Sequence, residues 1–172
     1  RSVWLLPHIG DKGINTCIKM LGSDDSDERV VAYRSLRRAG HDMIPHAKRM
    51  CTDPSPQVRR EIALSLRDIP AENTKEIFVE LAKRCNTDDK NSLESIGLGA
   101  AKQESIIWKA IKGGMGYDNP QEWNNQFAKL TWRLWGAASV NDLKARCADG
   151  SLSLDKRKFA LESIAFIDDP IA

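Results

Sequence analysis

The chain has 172 residues, of which 41% are hydrophobic and 29% are charged. This composition is ordinary for a folded protein and excludes a disordered chain, and no apolar run approaches the roughly 20 residues that a membrane-spanning helix needs. The formal net charge is only +2, but residues 29–68 contain nine Lys or Arg against four Asp or Glu. This basic segment indicates either a surface for an anionic partner or a solvated face whose charges keep the protein soluble.

Hydrophobic residues recur along the chain at a fixed interval. The landmark positions lie 30 residues apart, except for one step of 38 residues, and they are Leu6, Leu36, Leu66, Ile96, Leu134 and Ile164. Two companion columns keep this register, one from Val3 to Leu161 and one from Ile9 to Ile167. A fixed period of about 20–50 residues is typical of repeat proteins, in which each unit buries its apolar face against its neighbours. We therefore predict an all-α fold, a right-handed α-α superhelix built from helical hairpins of about 30 residues.

The predicted helices follow one another in pairs. The first helices of the pairs are expected at 28–39, 56–68, 89–99, 120–135 and 153–167, and the second helices at 14–21, 43–51, 73–85, 102–112 and 138–148. The repeats are 1–22, 23–52, 53–85, 86–112, 118–149 and 150–172, with 112–119 as a Gly-rich insertion loop, and together they are expected to form a single domain. Because the chain starts at Arg1 and the last repeat has one helix, we expect a segment of a longer protein.

The unit at 53–85 carries the clearest local signals. A turn and a helix start are predicted at Asp53-Pro54-Ser55-Pro56, because proline is tolerated in the first helical turn. Val58, Ile62 and Leu66 follow at helical spacing and predict a buried helix face. The run Asp53-Pro-Ser-Pro-Gln-Val58-Arg59-Arg60-Glu-Ile-Ala63-Leu-Ser-Leu66 resembles the first helix of HEAT repeats. Weaker copies run from 23 to 36 and from 149 to 164, whereas the units at 86–112 and 118–149 lack the signature.

The resemblance to HEAT repeats has structural and functional implications. It implies an α-solenoid that acts as a scaffold, with Asp and Arg side chains laddered between repeats, here Asp53 and Arg59 with Arg29 as a neighbour. More narrowly, 58–67 and 159–170 resemble the HEAT segment of large exported bacterial proteins, which lies between a dehydrogenase-like β-propeller and a cytochrome c domain. That resemblance implies an exported or periplasmic location, which nothing else in the sequence determines. The Cys-x-x-Cys-His motif that binds haem is absent from the sequence.

A search of the sequence for chemistry predicts no catalytic, cofactor-binding or metal-binding residues, and we expect that the protein is not an enzyme. The four cysteines form no Cys-x-x-Cys pair, and the repeat columns place Cys17 and Cys51 among small buried hydrophobic residues. The acidic cluster at 24–28 is expected to cap a helix N-terminus. The glycines at 113–116 lack the Lys-Ser/Thr of a phosphate-binding loop and follow a helix.

The unit at 118–149 holds an unusual set of aromatic residues. Helical spacing of 100° per residue places one stripe at Trp123, Phe127, Leu130 and Leu134, and a second stripe on roughly the opposite side at Ala128, Trp132 and Trp135. A solenoid helix touches both its hairpin partner and its neighbouring repeats, so we favour burial of both stripes. The alternative is an exposed aromatic patch that binds a peptide, a partner domain or a base. Trp4 and Trp108 have apolar neighbours, and we expect both in the core.

Two functions fit these observations. The preferred one is a non-catalytic scaffold that binds a protein or a neighbouring domain of its own parent chain, without membrane insertion. The alternative is nucleic-acid binding through the basic segment, of which a DNA glycosylase-like enzyme is a variant, and it predicts strongly salt-dependent affinity. The candidate partner-binding residues are Arg34, Arg38, Arg60, Arg67, Trp132 and Trp135.

Overall fold

A computed structural model describes residues 2–170 and 172. In this part of the chain every regular element is helical, and the prediction of an all-α fold is confirmed. The α-helices are α1 Asp11–Met20, α2 Ser26–Arg38, α3 Ile44–Met50, α4 Pro56–Ser65, α5 Ala71–Lys83, α6 Lys90–Gly99, α7 Glu104–Met115, α8 Asn125–Leu134, α9 Val140–Ala148 and α10 Leu154–Ala165. Short 3-10 helices occupy Ser2–His8, Pro120–Glu122 and Ala137–Ser139.

Polar side chains define where several helices begin. The Asp25 carboxylate accepts a hydrogen bond from the Asp27 N–H at 2.8 Å at the start of α2, and Asp89 accepts one from the Asn91 N–H at 3.1 Å at the start of α6. Asn124 accepts one from the Phe127 N–H at 2.8 Å at the start of α8. Each bond satisfies a backbone donor that has no partner within its helix. The capping role predicted for the acidic cluster at 24–28 is thus confirmed for Asp25.

The chain divides into two compact units, one of the described residues up to Ile62 and one from Ala63 onward. The core of the first unit is built on α2, whose Val30, Tyr33 and Leu36 are each no more than 2% exposed. Cys17 and Cys51 are buried as predicted, and burial raises the pKa of the Cys17 thiol. None of the four cysteines is joined to another by a disulfide bond in the described chain.

A repeated arginine contact organises the turns of the first unit. Nη1 of Arg29 donates to the carbonyls of Ser23 at 2.8 Å and Asp24 at 3.1 Å. Arg59, one period later, makes the equivalent bonds to Asp53 at 2.6 Å and Pro54 at 2.9 Å. Arg29 also forms a two-bond ion pair with the Asp53 carboxylate, with both N–O distances at 2.8 Å. The Asp and Arg ladder that the HEAT resemblance implies is therefore present between Arg29 and Asp53.

In the second unit the helices form two layers. The first helices α6, α8 and α10 pack side by side, and α5 packs against α7. The landmarks Leu66, Ile96 and Leu134 are 1%, 3% and 0% exposed, as the register predicts. Trp108 and Phe78 are among the largest fully buried side chains. The 30-residue period thus marks the residues that face the core of this unit.

The repeat at 118–149 departs from the predicted helix boundaries. The single helix predicted at 120–135 is wrong, because a 3-10 turn at Pro120–Glu122 is followed by Trp123 in an extended conformation, with ψ at 126°. The predicted insertion loop is shorter than 112–119, since α7 continues through Gly113 and Gly114 and ends at Gly116, which is left-handed with φ at 74°. The glycines predict a loop, but Gly113 and Gly114 are part of α7, because a helix tolerates glycine at a modest cost in stability.

The two ends of the register are less buried than predicted. Ile9 is 67% exposed and Leu161 is 61% exposed, although both lie in the predicted hydrophobic columns. Trp4 is half-buried rather than part of the core, and the Arg38 guanidinium lies 5.2 Å from the centre of its ring. A terminal repeat has a neighbour on one side only, so the same column covers less apolar surface there.

Candidate partner-binding site

The buried face of α8 rests on an aromatic cluster. Trp123 and Phe127 meet edge to face with ring centres 4.9 Å apart, and Tyr117 stacks on Phe127 at 4.7 Å. The indole N–H of Trp108 donates to the hydroxyl oxygen of Thr131 at 3.0 Å, so a buried donor is satisfied. The first predicted stripe of α8 is entirely buried. This packing holds α8 in one orientation and determines which of its residues face outward.

The opposite face of α8 lines a groove. Two adjoining cavities of 340 Å³ and 160 Å³ share Lys129 and Phe159 in their walls. The larger cavity is lined by residues 87, 88, 90, 93, 94, 129, 132 and 159, and the smaller one by residues 125, 128, 129, 146, 155, 156 and 159. We call these residues together the aromatic groove. Its floor belongs to α8, and its walls belong to α6, α9 and α10 with the residues just before α6.

Trp132 and Phe159 are the aromatic side chains of the groove, and both are half-buried. The ring of Trp132 also meets Phe166 edge to face, with centres 6.1 Å apart. Phe166 is 57% exposed. The expectation that both stripes of α8 are buried is therefore wrong for the second stripe, because the α10 side of α8 is only partly covered.

Trp135 does not line the groove, and its surroundings differ from those of Trp132. It ends α8 in a left-handed conformation with φ at 32°, and it is 46% exposed. The Arg133 guanidinium lies 5.5 Å from the centre of the Trp135 ring. The Nε of Arg133 donates a hydrogen bond to Glu94 at 2.8 Å. Gly97 makes room for this guanidinium, since a Cβ there would lie 2.0 Å from Arg133 Nη1. Arg133 thus joins Trp135 to the Glu94 edge of the groove.

The charges of the groove are unequally matched. Lys129 pairs with Asp88 at 2.5 Å, and Glu94 is occupied by Arg133. The described residues provide no ion-pair partner for Lys90 or Lys156, and Asp155 is the one lining carboxylate without a cation. The groove therefore carries a surplus of positive charge.

Arg146 is the most buried of these cations, at 2% exposure. Its Nη1 donates to the Pro120 carbonyl, and its guanidinium lies 5.1 Å from the centre of the Trp123 ring. Burial lowers the pKa of Arg146, and no carboxylate within the described chain forms an ion pair with it. The Asp149 carboxylate attracts this guanidinium without forming an ion pair, so the positive charge of Arg146 is only partly compensated.

In the basic segment of the first unit, unlike in the groove, several arginines form ion pairs with carboxylates. Arg34 pairs with the buried carboxylate of Glu61 at 2.6 Å, and Arg37 lies 3.5 Å from the same group. The hydrogen bond to Glu61 raises the pKa of Arg34. Arg29 and Asp53 line a polar cavity of 470 Å³ and form an ion pair with each other. Three arginines of the basic segment, Arg29, Arg34 and Arg37, are therefore paired with carboxylates of the same unit.

The candidate residues are thus distributed over several surfaces. Arg34 and Arg38 are exposed on α2, and Arg60 is half-buried on α4 in the same unit. Arg67 is exposed and belongs to the second unit, as do Trp132 and Trp135.

Sequence reasoning missed Lys129, Arg146 and Phe159 as lining residues. Lys129 and Phe159 lie one 30-residue step apart, so the repeat register carried a usable signal for both. Arg146 has no such signal, because its burial depends on how α9 packs against the 3-10 turn at Pro120–Glu122.

The described part of the chain lacks any group of three or more His, Cys, Asp or Glu residues arranged to hold a metal ion. None of its helices is both long and apolar enough to span a membrane.

The repeated helical hairpins define the class of protein, a helical-repeat protein. Residues 14–97 match the HEAT-repeat family, which supports the resemblance carried by the unit at 53–85. Searches of curated proteins and of solved structures find no match. The narrower resemblance to exported multidomain proteins stays a prediction.

Proposed function

We propose that the chain is a non-catalytic scaffold that binds a protein, either a separate molecule or a neighbouring domain of its parent chain. HEAT repeats are generally protein-interaction scaffolds, and residues 14–97 match that family. The observation that carries the proposal is the aromatic groove, in which Trp132 and Phe159 are held half-buried by the packing of α8 and α10. Pre-positioned aromatic side chains in a concave surface are the residues that most often dominate the affinity of a protein interface.

The ion pairs of the first unit weaken the nucleic-acid alternative. Phosphate binding needs cations whose charge is free to replace the counterions of the nucleic acid. Arg29 and Arg34 instead bind Asp53 and Glu61, and Arg38 lies over Trp4. Under the scaffold proposal, labelled single-stranded or duplex DNA binds weakly at physiological salt. Tight binding whose affinity falls steeply between about 50 mM and about 200 mM salt would instead favour the alternative.

Photo-crosslinking tests the scaffold proposal directly. The photoreactive residue p-benzoylphenylalanine replaces Trp132 in one protein and Ile106 in a control, since Ile106 is 47% exposed on α7 and lies outside the groove. In lysate of the source cells, illumination is expected to attach a defined protein at position 132 and not at 106. Mass spectrometry identifies that protein, and the purified pair is then tested for binding.

The adduct is expected to survive nuclease treatment of the lysate. Equal labelling at both positions, or adducts that disappear after nuclease treatment, would overturn the proposal. The same experiment with the longer parent chain distinguishes a separate partner from a neighbouring domain, because an intramolecular adduct does not change the number of chains.

A further inference from the structure

We propose that the aromatic groove binds a short acidic peptide segment of its partner, with one large apolar side chain seated between Trp132 and Phe159. This inference rests on the proposed function and specifies the chemistry of the partner. The groove extends along α8 from Asn125 to Trp132. At about 1.5 Å per helical residue this is roughly 10 Å, the length of about three residues of an extended peptide.

The larger cavity accounts for the apolar part of the ligand. Its volume of 340 Å³ is within the range of about 300–1,000 Å³ that is typical of ligand pockets. Leu93 and the two aromatic residues supply its apolar surface. Removing a Phe or Leu side chain of the partner from water onto these groups is favourable in proportion to the apolar area covered.

The smaller cavity accounts for the acidic part of the ligand. Lys156 is exposed and forms no ion pair in the described chain. Arg146 is buried and forms no ion pair either, although the nearby Asp149 carboxylate attracts it. Asp155 is the opposing charge, and it lies in the first turn of α10, where the helix dipole offsets a carboxylate. A carboxylate of the peptide that reaches this cavity would meet two cations in a partly desolvated site, where charge-assisted hydrogen bonds are strong.

The other end of the groove has the same sign of charge. Lys90 is exposed at the start of α6 and has no ion-pair partner in the described chain, whereas Asp88 is already paired with Lys129. Acidic residues on both sides of the apolar anchor therefore complement the groove, and basic residues in the same places meet repulsion.

Fluorescence anisotropy with three labelled seven-residue peptides tests the proposal. The first peptide has a central Phe flanked by Asp and Glu, the second has Lys in place of the acids, and the third has Ser in place of Phe. The acidic Phe peptide is expected to bind saturably, and each of the other two at least about tenfold more weakly. Its affinity is also expected to fall as salt is raised from about 50 mM to about 300 mM.

Two lysines of α10 provide a matched pair of variants. Lys156→Glu reverses a charge that lines the groove, whereas Lys158→Glu makes the same change on an exposed residue of the same helix outside it. The first variant is expected to weaken the acidic peptide at least about tenfold, and the second less than about twofold. Trp132→Ala is expected to abolish binding, and circular dichroism checks that all three variants are folded.

Three results would overturn the inference: equal affinity for the acidic and basic peptides, equal effects of Lys156→Glu and Lys158→Glu, or no saturable binding of the acidic peptide up to about 1 mM. If the peptides fail to bind but a protein is still crosslinked specifically at residue 132, the preference for an acidic peptide is rejected. The proposed scaffold function is then still supported. Failure of both experiments would remove both proposals.

Discussion

Two glycines of the second unit differ in whether the structure has room for a side chain, although both lie within helices. Gly99 and Gly113 are both glycines within helices, α6 and α7. A Cβ on Gly99 would lie 2.1 Å from the backbone oxygen of Ala63, which is far inside van der Waals contact. A Cβ on Gly113 would meet nothing within 4 Å. Gly99 therefore permits a close approach of α6 to the backbone of α4, whereas Gly113 has no such role.

We predict opposite effects of alanine at these two glycines. Gly99→Ala should destabilise the protein by about 1–3 kcal/mol, because a backbone atom has to move. Gly113→Ala should be neutral or stabilise it by up to about 1 kcal/mol, because alanine has the higher helix propensity. Urea unfolding monitored by circular dichroism measures both changes. A neutral Gly99→Ala would mean that α6 and α4 are not in this close contact.

The individual helices are held by the apolar face that the repeat register selects. Leu66 directly follows the last residue of α4 and is 1% exposed, whereas Leu64 lies within α4 and is 38% exposed. The two leucines lie two positions apart, so they point to different sides of the helix. Position within the register, rather than residue type, determines how much each contributes to stability.

The pair Leu66 and Leu64 tests this assignment. Leu66→Ala should lower the free energy of unfolding by about 2–5 kcal/mol, because it removes buried methyl groups and leaves a cavity. Leu64→Ala should cost less than about 1 kcal/mol, since much of that side chain is already in water. Thermal and urea unfolding of both variants provide the values. Equal losses for the two substitutions would contradict the 30-residue register.

At the scale of the whole molecule, the second unit contains its own aromatic core. Trp108, Trp123 and Phe127 contact one another, and all three belong to the residues from Ala63 onward. In repeat proteins the stability is approximately a sum over units and their nearest neighbours, so part of the array can fold alone. The segment 53–172 begins at a repeat turn and retains every member of this core.

We predict that the segment 53–172, expressed alone, remains helical and keeps the near-ultraviolet circular dichroism of its packed tryptophans. The segment 53–122 serves as the control, because it lacks Trp123 and the helices from α8 onward. It should lose that signal and unfold without a cooperative transition. Loss of the near-ultraviolet signal in 53–172 itself would show that its aromatic core depends on the residues before 53.

The helices and their buried faces were predictable because they depend on short-range patterns. The 30-residue period located Leu36, Leu66 and Ile96, and proline and acidic residues marked helix starts such as that of α2. The helix boundaries in the repeat at 118–149 were not predictable, because Trp123 lies outside the helix and completes an aromatic cluster with residues of α7 and α8. Local propensity is overridden where tertiary packing offers more buried area.

The sequence by itself determined the all-α class and the repeat register, because helical spacing and the 30-residue period are properties of the order of the residues alone. Only the tertiary structure decided which charged side chains form ion pairs and which aromatic side chains line the same groove. Arg34 forms an ion pair with Glu61, whereas Arg146 is buried and forms no ion pair within the described chain. Trp132 and Phe159 line one groove because α8 and α10 pack together. Such contacts join residues distant in sequence, and their free energy depends on the distances and burial that packing creates.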